Sequence, residues 1–179
     1  SLFQNNMDRA TLDAMLGAAH ESFPDFRRYM RAKARALGVA ALPWYDLFAP
    51  MGASTRVWEY DEATDFIEEQ FGAFSPRLRE FAARAFRESW IDAEPYDGKR
   101  DGAYCMWIRG DQSRIFANYK TAYRGVATLA HELGHGYHNL NLAQRTMLQR
   151  DTPMTLADAI RIATEVSTDR ALVAMRAAS

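Results

Sequence analysis

Only one cysteine, Cys105, occurs in the chain. No disulfide can close within it, and a reducing, cytoplasmic setting is the natural expectation. Long apolar runs are missing too: none approaches the roughly 20 residues needed to cross a bilayer. The opening residues Ser1-Leu2-Phe3-Gln4-Asn5-Asn6 lack the basic and apolar regions of a signal peptide. Neither sign of charge is in excess, with 22 Lys and Arg against 23 Asp and Glu. The surplus of positive charge that nucleic acid or an anionic membrane calls for is absent, so neither is expected as a partner. No repeat, low-complexity stretch or linker interrupts the sequence, and residues 1–179 read as a single domain. What is present is apolar: 48% of the 179 residues are hydrophobic, enough for a sizeable core.

Helical periodicity covers most of the chain. Leu12, Met15, Leu16 and Ala19 recur at helical spacing after Thr11, and a second segment runs from Pro24 to Leu37 with Gly38 just beyond it. Two helices are predicted there. Residues 39–58, with Pro43, Pro50 and Gly52, read as irregular. Asp61 can cap a helix through about Phe71, and Ser75-Pro76 opens another that shares Leu78, Phe81, Ala82, Ala85 and Phe86 on one face. Asp92 to Gly102 is a polar, turn-rich break. Two aromatic and apolar runs, Ala103 to Ile108 and Arg114 to Tyr119, predict a β-hairpin. Helix then returns from about Gly125 through Leu148, and after a polar loop ending at Pro153, Thr155 could cap a last helix to about Met175. The predicted fold is mainly α with one small antiparallel β element.

The chemistry concentrates in His131-Glu132-Leu133-Gly134-His135. This is H-E-x-x-H, in which two histidines four apart lie on one helix face, one turn above the other, and can bind one zinc ion. Glu132, beside the first ligand, can reach water at the metal and act as general base. A random shuffle of this composition yields the pattern roughly once in two hundred, which makes chance a poor explanation. A catalytic zinc commonly takes three protein ligands, so a third donor must come from elsewhere. Asp158 and Glu165 are seven residues apart, two helical turns, and either could ligate while the other orients a ligand imidazole. His138 reads as a hydrogen-bonded structural histidine, and Cys105 as a small apolar strand residue, since no Cys–His signature accompanies it. Gly134 and Gly136 cost a helix about 1 kcal/mol each relative to Ala, which points to a close neighbour there. In the hairpin, Ala103-Tyr104 and Ala117-Asn118 could offer backbone groups to an extended peptide by strand addition.

Several stretches together resemble a known family. They are Tyr45-Asp46-Leu47-Phe48-Ala49-Pro50, Gly98-Lys99-Arg100-Asp101-Gly102-Ala103-Tyr104, Asn118-Tyr119, Thr128 to His138 around the motif, and Thr152-Pro153-Met154-Thr155-Leu156-Ala157. Over nearly its whole length the chain is similar to the catalytic domain of oligoendopeptidase F, which stands with thimet oligopeptidase among zinc peptidases that cleave short peptides. The resemblance implies a helical zincin-type catalytic core, one Zn2+ ion held by His131 and His135, and Glu132 as the base that activates water. The family's third ligand is a Glu after Thr-Leu-Ala, and Asp158 occupies that position here. Asp is a valid ligand but shorter by one methylene. The family's further acid is matched by Glu165, whereas Ala159-Ile160-Arg161-Ile162 departs from the small, hydroxyl-rich sequence expected there. Family members are several times longer and carry later His and Tyr residues that stabilise the tetrahedral intermediate. The sequence is therefore expected to be part of a larger enzyme, either weakly active alone or able only to bind metal or peptide, with apolar surface exposed by truncation that could drive self-association.

Zinc affinity tests the ligand set. Asp158→Glu should tighten zinc, Asp158→Ala should loosen it and His131→Ala should abolish it, as read by competition with a chromogenic chelator. If Asp158→Ala leaves affinity unchanged while Glu165→Ala lowers it, the third ligand is Glu165.

Overall fold

The computed structural model describes residues 2–49, 51 and 56–153. It divides the chain into two compact units, Ser1–Thr55 and Arg56–Ser179. The helix expected to begin at Thr155, with Asp158 and Glu165 on it, lies outside the described residues.

In the first unit a single helix, α1 (Arg9–Ala36), replaces the two expected from the sequence. Asp8 caps it by accepting the Thr11 N–H at 2.7 Å, and Lys33 and Arg35 in the last turn suit the negative end of the helix dipole. In sequence Pro24 signals a helix start, because proline removes an N–H and crowds the preceding turn. Here it sits within an exposed stretch, where water can solvate the His20 carbonyl that loses its partner, and the Ser22 hydroxyl donates to Ala19 O at 2.7 Å in the same turn. Gly38 follows in the left-handed region, φ +70°. The buried Lys33 Nζ then donates to Leu47 O at 2.8 Å and Ala49 O at 2.6 Å, tying the segment around a 3-10 turn at Trp44–Asp46 back onto the helix.

The second unit holds the core. Helix α2 (Tyr60–Phe74) starts one residue before the expected cap, so Asp61 and Glu62 occupy its first turn and favour the dipole from there. Ser75 and Pro76 open α3 (Pro76–Arg87) as expected, with the Ser75 hydroxyl accepting the Leu78 N–H. Leu78, Phe81, Ala82 and Ala85 are all buried along one face. Ser89 turns the chain out of α3 at φ +54°, which costs a non-glycine residue about 1–2 kcal/mol, and Trp90 enters the core directly after it.

Three short strands follow: β1 (Ile91–Asp92), β2 (Ala103–Arg109) and β3 (Gln112–Ala117), in the order β1-β3-β2. The hairpin of β2 and β3 is antiparallel as expected, pairing Ala103 with Ala117 and Cys105 with Ile115. Its turn is tighter than the sequence suggested, because Gly110 takes φ +53° and Arg84 holds Asp111 at 2.6 Å. Strand β1 runs parallel to β3 and had no sequence signal, being too short for an alternation to register. The sheet is therefore mixed, with β2 at one edge.

Helix α4 (Tyr123–Asn141) packs against the hairpin, and Val126, Leu129, Ala130 and Leu133 face the core with Trp58, Ile67, Phe71 and Phe81. It stops seven residues before the expected Leu148, where the Asn141 side chain donates to Tyr137 O at 2.8 Å and satisfies a carbonyl of the last turn. A one-turn helix, α5 (Met147–Arg150), follows under a capping box of Thr146 and Gln149. Among the described residues the fold is mainly α with one small sheet, as the sequence implied, and no helix is long and apolar enough to cross a membrane.

Two glycines fix how closely α4 is approached. A Cβ at Gly125 would lie 2.0 Å from Lys120 O, and one at Gly136 would lie 2.9 Å from the ring tip of Phe81. Gly125→Ala should cost about 1–3 kcal/mol despite its better helix propensity, because backbone must shift. Gly136→Ala should cost less, since a ring can tilt. Urea unfolding midpoints check the order, and a raised midpoint for Gly125→Ala would contradict it.

Candidate active site

Helix α4 supplies the site, because its period places His131 and His135 on one face. Their rings stand 5.1 Å apart between centroids. Both line a cleft of about 460 Å³ that is also bordered by Ala103, Tyr104 and Cys105 of β2, by Glu132 and His138 of α4, and by Arg150 to Thr152. Glu132 is buried, its side chain only 7% exposed, with Oε1 3.9 Å from His131 Nε2. One residue on from a ligand position turns the side chain about 100° around the helix, so Glu132 stands beside the histidine face and toward β2.

The wall opposite is held by a polar tether. Asn139 Nδ2 donates to Ser113 Oγ at 3.1 Å and approaches Cys105 Sγ at 3.9 Å. Asn139 lies one turn beyond His135, so the bond fixes the face that carries both imidazoles against the hairpin. Ser113 is buried, and a buried hydroxyl without this partner would be costly. The spacing 131, 135, 139 was visible in the sequence, but asparagine there carries no chemical signature, and its role emerges only once the hairpin is placed.

Electrostatics separate the side chains. Burial pushes the Cys105 thiol up to about 12, the nearby Glu132 carboxylate adds to the rise, and the Ser113 hydrogen bond opposes it. Cys105 is thus a packed, protonated strand residue and no nucleophile, in line with its sequence reading. Burial lowers the His138 pKa, which keeps that imidazole neutral near pH 7.

The four hairpin residues proposed for peptide contact part company. Ala103 and Tyr104 border the histidine cleft, whereas Ala117 and Asn118 line a separate recess with Tyr119, Lys120 and Arg124. Asn118 is also engaged structurally: its side chain donates to Lys99 O at 3.2 Å and its N–H to Gly102 O at 3.1 Å. The Tyr119 hydroxyl donates to Trp58 O at 2.8 Å, so that tyrosine packs under α2. Among the described residues no three His, Cys, Asp or Glu side chains cluster to hold a metal. The described donors are two imidazoles, and Asp158 and Glu165 lie beyond them.

Residues 1–176 match peptidase family M3. The chain belongs to that family. Among M3 relatives, the oligoendopeptidase F homolog of Lactococcus lactis is 26% identical over 159 residues, covering 88% of this chain and 26% of that protein. The group B oligopeptidase PepB of Streptococcus agalactiae is 30% identical over 139 residues, covering 78% of this chain and 23% of its own. A crystal structure described as a peptidase from Chlamydophila abortus shares the fold, with a TM-score of 0.73 at 21% identity over 93% of this chain and 28% of that one. The resemblance to oligoendopeptidase F read from the sequence is borne out, and the chain spans about a quarter of the length of these relatives.

The thiol provides a test. With its pKa raised from 9.0 to about 12, Cys105 keeps its proton in the folded state while the unfolded chain loses it. This contribution to stability is fully present below pH 9 and is lost as pH rises from 9 toward 12, by up to about 1.4 kcal/mol per unit. Cys105→Ala should flatten that part of the stability profile, measured by urea unfolding. The native thiol should also resist alkylation at pH 8 until denaturant is added.

Proposed function

We propose that this chain forms the motif-bearing part of a zinc-dependent endopeptidase acting on short oligopeptides. The observation that carries the reading is the paired imidazoles of His131 and His135, rings 5.1 Å apart on one cleft wall with the buried Glu132 between them in sequence. Neutral imidazole nitrogens are a donor set that suits zinc. The two described donors fit the ion as part of a three-ligand set, with Asp158 as the third and Glu165 holding a ligand imidazole in its tautomer. When bound, zinc would polarise the scissile carbonyl and make water more acidic.

The remaining steps fall to side chains of this chain. Glu132 takes a proton from the attacking water and returns it to the leaving amine, a role helped by burial that excludes competing solvent. His138, neutral near pH 7, borders the same cleft and serves as a hydrogen-bonding neighbour rather than a charge. Ala103 and Tyr104 lie on the edge strand β2 beside the histidines, a location that suits pairing with an extended peptide backbone. Ala117 and Asn118 act behind that strand, supporting it. A reducing, cytoplasmic setting goes with the single cysteine.

A second reading has its own support. Because the chain spans about a quarter of its relatives, groups that would stabilise the oxyanion can lie outside it, and such donors are worth orders of magnitude in rate. In that reading the chain binds zinc or peptide without turnover. Hydrolysis of an internally quenched peptide by the zinc-supplemented chain decides between the two. Glu132→Gln should lower the rate at least 100-fold with zinc content unchanged, and a chelator should remove it. A parent chain that binds zinc and peptide but shows no Glu132-dependent rate is a binding module only.

A further inference from the structure

Arg150 closes α5 and borders the same cleft as His131, Glu132 and His135. Its guanidinium is held on three sides. Nε donates to Arg145 O at 3.0 Å, Nη2 donates to Ala143 O at 2.6 Å, and Cζ stands 4.4 Å over the centre of the Trp107 ring. The third nitrogen, Nη1, is buried and has no hydrogen-bond partner. Among the described residues no carboxylate pairs with this cation. A guanidinium carries five N–H donors, so Nη1 keeps both of its hydrogens and Nη2 keeps one.

A buried cationic donor left unmatched is costly, and proteins seldom keep one without a use. The unmatched edge is planar, and planar paired donors match one chemical partner best, a carboxylate that accepts two parallel bonds. Two carbonyls and an aromatic face fix the orientation of that edge, so little side-chain freedom is lost on pairing. Reaching Nη1 takes a shift of α5, a single turn that buries no side chain and therefore moves at small cost. The cation borders the cleft, so a carboxylate bound there meets a charge that no acidic side chain among the described residues already neutralises.

We infer that Arg150 is a specificity residue of the cleft, recognising a carboxylate on the bound peptide, either its C-terminus or an acidic side chain. The inference rests on the peptide-cleft reading above, but binding tests it without turnover. The probes are three fluorescein-labelled pentaalanine peptides: a free acid, a C-terminal amide, and an amide with Glu at the last position. Fluorescence anisotropy with the full chain in the presence of a chelator reads their affinities.

At least one carboxylate-bearing peptide should bind about tenfold more tightly than the plain amide. Preference for the free acid identifies the terminal carboxylate, and preference for the Glu amide identifies the side chain. Arg150→Gln should erase the preference, and Arg150→Lys should keep part of it. Equal affinity for all three peptides, absence of binding by any, or a preference that survives Arg150→Gln would overturn the assignment. The comparison among peptides needs no variant, so it stands even if Arg150→Gln fails to fold. Glu132-dependent hydrolysis without carboxylate preference would sink this inference alone and leave the peptidase reading intact.

Discussion

Everything at the cleft depends on α4 being unable to roll or slide against the β2–β3 hairpin. Two imidazoles one turn apart share a helix face whatever the rotation of the helix, but a roll of some tens of degrees would point both away from β2. Three contacts of different kinds oppose that motion. Val126, Leu129, Ala130 and Leu133 bury an apolar stripe, which sets rotation broadly but tolerates sliding. Close approach at Gly136 removes the slack, since a Cβ there would already meet Phe81 of α3 at 2.9 Å and Cys105 Sγ of β2 at 3.7 Å. The directional bond from Asn139 to Ser113 then selects one register among those that burial alone would allow.

The sequence disclosed the parts whose signals are local. H-E-x-x-H is a helix-face pattern, Ser75-Pro76 is a cap with its own chemistry, and the hairpin announces itself through two aromatic runs. Features decided by competition were harder to read. Pro24 carries a strong breaking signal, yet an exposed helix can lose one hydrogen bond to water and continue. Strand β1 exists because β3 offers it an edge, and two residues hold no period of their own. The end of α4 rests on Asn141 reaching back to Tyr137, a contact that looks in sequence like any polar residue in a helix.

The site divides along the same line. That His131, Glu132 and His135 meet at one cleft was legible because H-E-x-x-H sets particular residue types at a helical spacing. Ser113 and Asn139 were not, because each acts through a partner distant in sequence and neither is rare enough to stand out. Asn118 shows the reverse difficulty: its position beside a strand end suggested backbone contact with a ligand, but its amide holds the 99–102 loop in place. Burial also sorts chemically similar groups. Cys105 and Glu132 face one another across the same wall, and the desolvation that silences the thiol keeps bulk water from competing at the carboxylate.

Lys99 carries a further consequence. It lies in the polar, turn-rich stretch between β1 and β2, where a lysine would normally extend into solvent. Instead its ammonium is buried, donating to Asp92 O, Asp92 Oδ1 and Glu94 O at 2.8–3.0 Å, with the rings of Tyr96 and Phe116 alongside. Two of the three acceptors are backbone carbonyls, so dissolved salt has little to screen and the loop keeps its shape at high ionic strength. The side chain is likewise withheld from any protease that must seat a lysine in its own pocket. The Lys99–Arg100 bond is thereby shielded from such an enzyme even though the loop around it faces solvent, because the recognition element is turned inward.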